Sequence, residues 1–158
     1  MRRKLVAAAV LAGALTVTSA AAAKGPSSAS ISGPRLDRSL AIQGEGEMGP
    51  GTPLGALVNF GGYFSQMFGQ TPDPTLKSQP KGSVLGPRYK VVYTVPGPNA
   101  IQSRVVQLVY PYAKPVPLTY MKPGQPFWNT DRAHGGWYRA SAALKRVLVR
   151  AGLPAATP

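Results

Sequence analysis

The chain has no cysteine, and only five of its 158 residues are acidic. Without cysteine there is no disulfide and no residue to carry a lipid anchor, so the core alone must hold the fold. One histidine and five carboxylates do not supply the three or four matched ligands of a zinc site. Glu45 and Glu47 flank Gly46 and would hold calcium at most weakly; they read as a solvated loop. The acids Asp37, Glu45, Glu47, Asp73 and Asp131 offer no pair in a setting prepared for glycoside hydrolysis. A phosphate loop is missing too, because "GEGEMG" lacks a flanking strand and a following helix, and its glutamates repel phosphate. No metal and no cofactor is expected.

Long apolar runs are equally scarce. The exception, Leu5–Ala23, follows Arg2, Arg3 and Lys4 and ends on small residues. That layout predicts a secretory signal peptide over 1–23, cleaved after Ala23. An uncleaved membrane anchor is the rival reading, but the run is rich in alanine, which contributes little to insertion. The expected location is therefore outside the cell or at its envelope. Usage rich in Ala, Gly, Pro and Arg suits a GC-rich bacterial genome.

What the chain does have is positive charge. The net charge is +13, and removing the three leader cations leaves +10. Residues 24–74 are nearly balanced, whereas residues 75–158 carry twelve basic side chains against Asp131 alone. A field of that sign attracts polyanions and is weakened by salt.

Seventeen prolines and eighteen glycines predict many turns and short elements. Segment 24–51 is turn-rich, with short strands expected at Ser28–Ser32 and within 36–44. Thr52 as N-cap and Pro53 at the first position predict a helix over 52–69, weakened in its middle by Gly61 and Gly62. The proline-rich stretch 70–83 reads as a linker. From residue 84 an α+β core is expected, a small antiparallel sheet of three to four strands with a helix on one face. Tyr89, Val91, Tyr93 and Val95 alternate with polar neighbours, and 103–113 alternates likewise, which predicts a hairpin. Residues 116–121 add a strand, placed at an edge because Pro117 cannot donate to a ladder. Residues 136–140 are a fourth candidate.

The last helix is the best defined. Ser141 is its expected N-cap, and Leu144, Val147, Leu148 and Ala151 form its apolar stripe. Gly152 ends it, with Leu148 and Leu153 at the two positions that touch in a Schellman motif. The core closes at 154 and leaves a short tail, 155–158.

The one histidine lies in "TDRAHGGW". Asp131 could orient His134 as a general base, with Ser103, Ser141, Thr130 or Thr119 as nucleophile, which would make a small hydrolase. None of these hydroxyls lies in a G-x-S-x-G elbow. Turn chemistry accounts for the same residues: Asp131 opens a turn, Gly135 and Gly136 permit positive φ, and His134 sits in the loop. The aromatics from Tyr89 to Tyr138, interleaved with Arg88, Lys90, Arg104, Lys114, Lys122, Arg132 and Arg139, could stack on sugars or bases while the cations hold phosphates, but core packing is their expected role, as it is for Phe60–Phe68. The interleaved cations exceed what solubility requires.

The series "LGPRYKVVYTVPGPN", "LVYPYA", "KPGQPFW" and "GGWYRASAALKRVLVRAGLP", spanning 84–154, resembles a family of small exported actinobacterial proteins. "ISGPRLDRSL" matches less closely. The resemblance implies export and carries no activity and no residue roles.

The function expected from these residues is that of a non-enzymatic, exported protein held to anionic envelope polymers or lipid headgroups. Arg88, Lys90, Arg104, Lys145, Arg146 and Arg150 are the expected contacts. Export disfavours nucleic acid as the partner. A protein-binding or inhibitory role, through the turn "PGPNAIQ", is the remaining alternative.

Overall fold

The computed structural model describes residues 25–44, 49 and 51–156. The signal reading over 1–23 and the Glu45–Glu47 loop lie outside the described residues.

Strict alternation builds the centre of the sheet. In β3 (Tyr89–Pro96), Tyr89, Val91, Tyr93 and Val95 are buried while the intervening residues are not. β4 (Gln102–Tyr110) pairs with it antiparallel from Tyr89 opposite Val109 to Pro96 opposite Gln102, joined through a 3-10 turn at Pro98–Ala100. The predicted hairpin is therefore present. β1 (Ser28–Ser32) and β2 (Leu40–Gln43) pair with each other as expected. β1 also lies along the free edge of β3, with Ser30 opposite Val92. β5 (Leu118–Met121) and β8 (Gly136–Arg139) complete the order β2-β1-β3-β4-β5-β8. A separate two-stranded sheet joins β6 (Pro126–Phe127) to β7 (Asp131–Arg132).

The class is α+β, as expected, but the sheet has six strands rather than three or four. The two N-terminal strands are part of the sheet. β5 is not an edge strand: it lies between β4 and β8. Pro117 falls one residue before it and contributes only its carbonyl, which accepts from the Ala140 amide at 2.9 Å. Proline's missing donor is thus irrelevant to the ladder.

All three helices contribute to the core cluster that covers one face of the sheet. The expected single helix over 52–69 is two helices, α1 (Pro53–Phe60) and α2 (Tyr63–Phe68). Thr52 caps α1, its Oγ1 accepting from the Gly55 amide at 3.1 Å. The break falls at Gly61 and Gly62, and Gly62 is left-handed at φ +71. A Cβ there would lie 2.3 Å from the Tyr138 ring. So these glycines reverse the chain rather than weaken one helix.

The break frees the Gly61 carbonyl inside the core, and sheet side chains answer it. Gln107 Nε2 donates to it at 2.9 Å and Thr119 Oγ1 at 2.8 Å. Gln107 Oε1 accepts from the Tyr93 hydroxyl, and Gln107 Nε2 also reaches Gln66 Oε1. Gln66 Nε2 then donates to the Gly136 carbonyl. Gln66, Gln107 and Thr119 are fully buried, so this network must be complete to be tolerated.

α3 (Ala143–Arg150) buries Leu144 and Leu148 against the same core. Ser141 Oγ accepts from the Ala143 amide at its start. At its end Gly152 has φ +120, the Leu153 amide reaches the Leu148 carbonyl, and the Gly152 amide reaches Val149. These are the two bonds of a Schellman motif, closed by the buried Leu148 and Leu153.

Candidate functional site

Two places carry chemistry-bearing side chains, and the first is His134. Gly135 and Gly136 have the expected positive φ, but Asp131 does not open a turn: it lies in β7. The carboxylate that meets the histidine, however, is Asp73 rather than Asp131. Asp73 Oδ2 lies 2.8 Å from His134 Nε2, and both side chains are 43% exposed. Asp131 sits exposed on β7, paired by backbone with Phe127. The sequence reading chose the nearer acid along the chain, whereas the fold brings in one 61 residues away.

Asp73 is itself held by Thr75. The Thr75 amide and Thr75 Oγ1 each donate to Asp73 Oδ1 at 2.8 Å. These bonds, and then His134, hold the Asp73 carboxyl below the usual carboxylate range. Thr75 Oγ1 also lies 3.2 Å from His134 Nε2. A relay needs one imidazole nitrogen toward the acid and the other toward the nucleophile. Here the same nitrogen faces both, and the hydroxyl proton is directed at the acid.

The other proposed nucleophiles are committed to the scaffold. Ser103 Oγ accepts from the Trp128 amide, Ser141 Oγ from the Ala143 amide, and Thr119 is buried on the Gly61 carbonyl. Thr130 is exposed. The cluster works as a clasp. Beside it, the His134 and Gly135 amides bond Met67 and Gln66 carbonyls, and Leu76 pairs with Trp137. The clasp holds the 70–77 loop against the β8 edge. Only "DPT", an Asx-turn pattern, hints at it in the sequence.

The second place is the sheet face opposite the helices. The register sets Lys90, Leu108, Tyr120 and Trp137 in one row across four strands. The next row holds Ser30, Val92 and Val106. Beyond it Arg104 stands opposite Thr94, and at the other end Arg139 stands opposite Leu118. Lys90, Arg104 and Arg139 are exposed, whereas Val92, Val106, Leu108, Tyr120 and Trp137 are half-buried. The Trp137 ring lies 5.0 Å from Tyr120 and 5.7 Å from Tyr110, the latter pair stacked. At one end of this face Leu85, Leu108, Val116 and Trp137 pack against the buried Tyr110 and Leu118. Of the acids in the described residues, Asp37 and Asp73 lie in loops and Asp131 in the two-stranded sheet, so none lies on a strand of this face.

The six predicted contacts do not form one patch. Lys90 and Arg104 project from the open face, and exposed Arg88 immediately precedes β3. Lys145, Arg146 and Arg150 ride on α3, behind the opposite face of the sheet. Lys145 Nζ sits 5.1 Å from the centre of the Tyr112 ring, a cation–π contact that ties it to the scaffold. Sequence reasoning assigned the aromatics to the core as a group. It weighs stacking by Tyr120 and Trp137 beside Arg139 but prefers core packing and leaves Arg139 out of the six contacts, because the parity of β5 and β8 is legible only once their partners are known.

Among the described residues, no group of three or more His, Asp or Glu side chains is placed to hold a metal ion. Nor is any helix there long and apolar enough to cross a membrane. No family model, no curated protein and no solved structure matches the chain.

Proposed function

We propose that this protein is an exported, non-enzymatic domain that binds an anionic polymer of the cell envelope through the open face of its sheet. One observation carries the reading: a half-buried apolar floor ringed by exposed Lys90, Arg104 and Arg139, with no carboxylate among the described residues of the face. Cations over a floor of low polarity act on an anion with less solvent screening than cations on a mobile loop. The leader-like residues 1–23 and the net charge of +10 on the chain that follows them support the same reading. The α3 cations face the other way and add to the long-range field rather than to the contact.

Co-sedimentation with purified envelopes tests this. Retention at low salt should fall steeply at physiological salt. Replacing Lys90, Arg104 and Arg139 together by Gln should remove most of it. Undiminished retention of that triple variant would rule the face out as the site.

A further inference from the structure

The open face is more than a charged surface, and its layout constrains what it can hold. From β1 to β8 its character changes in order. Ser30 offers a hydroxyl, Lys90 a charge, and Tyr120 with Trp137 a ring surface. Lys90 is paired with Leu108, and Arg104 lies four residues from Leu108 along β4. Four residues of antiparallel strand span roughly 14 Å. The row from Lys90 to Trp137 crosses three inter-strand gaps, again roughly 14 Å. Uncharged positions therefore fill the face between Lys90 and Arg104, while Arg88, two residues before Lys90, adds a second charge at that rim.

That spacing separates the possible occupants. A phosphodiester chain carries a charge on every unit and is matched by closely spaced cations. A second copy of this chain, docking face to face by a two-fold axis, would bring two positively charged faces together. Neither makes use of a floor of rings and hydroxyls lying between charges at its rim. A polymer of sugar rings, charged only at intervals, fits each part. Ring faces lie against Trp137 and Tyr120, hydroxyls meet Ser30, and carboxylates meet Lys90 and Arg104.

We infer that the ligand of the open face is an acidic polysaccharide in which uronic acids alternate with neutral sugars. This inference rests on the reading of the face as the polyanion site. The test is titration of the protein with a hyaluronan oligosaccharide at several salt concentrations. Single-stranded oligo-dT and phosphatidylglycerol vesicles serve as competing anions. The glycan should bind most tightly of the three.

Trp137→Leu and Tyr120→Leu should each weaken glycan binding by about tenfold without changing its salt dependence. Lys90→Gln with Arg104→Gln should weaken it and flatten the salt dependence. Tyr120→Leu keeps the test sound if Trp137→Leu melts early. If the cation variants lose binding but neither aromatic variant does, the sugar-ring inference fails and the polyanion reading stands. If the cation variants bind as the parent does, both fail. Tighter binding of oligo-dT or of the vesicles would overturn the glycan assignment.

Discussion

The two faces of this sheet are written in the same alternating code, yet they carry different kinds of residue. On the covered face Tyr89, Val91, Tyr93, Val105 and Val109 are closed from solvent under the helices, and Tyr93 and Gln107 are hydrogen-bonded to one another and on to Gln66. On the other face the same strands show Lys90, Val92, Thr94, Arg104 and Val106 to solvent. We assign stability to the first face and propose recognition for the second, so substitutions one residue apart should have effects of different kind.

The largest effect belongs to the covered side. Gly62→Ala forces a side chain into a left-handed residue and against the Tyr138 ring. It should cost about 3 kcal/mol in chemical denaturation. A cost under about 1 kcal/mol would mean that α1 and α2 need not break there.

Val91 and Val92 compare the faces directly, since Val91 is fully buried and Val92 half-exposed. Val91→Ala should cost about 2 kcal/mol and Val92→Ala about 0.5 kcal/mol. Equal costs in urea melts would show that the open face is covered in solution.

A smaller effect sits at the boundary between the faces, in the Asp73–His134 clasp. The Asp73 carboxyl is held below its ordinary range by Thr75 and then His134. Its contribution is therefore complete above the ordinary carboxylate range and is lost as pH falls through the lowered value. The melting temperature of the parent should fall more steeply on acidification than that of Asp73→Asn. Parallel curves would show that the clasp does not hold the loop.

Much of this fold was legible where one residue's environment depends on near neighbours. The alternation of β3 and β4, the Thr52 cap and the Gly152 ending are local patterns, and they form as expected. Three features were not legible, each because it depends on a distant partner. Ser28–Ser32 reads as a strand, but nothing local says that it lies along β3. Gly61 and Gly62 read as a flaw in a helix until Gln107 and Thr119 are seen to receive the freed carbonyl. Asp131 is close to His134 in sequence, while the partner the fold supplies is Asp73. The basic excess was plain, but its division between the open face and α3 required the packing of Leu144 and Leu148.

The central claim is that the open face, and not the basic charge as a whole, makes the contact. It is tested most directly by measuring envelope retention of two variants of equal net charge. One replaces Lys90, Arg104 and Arg139 by Gln, and the other replaces Lys145, Arg146 and Arg150 by Gln. The account predicts that the first loses most of its retention at low salt and the second keeps most of its own. Equal losses in the two variants would contradict it, since charge alone would then explain the binding.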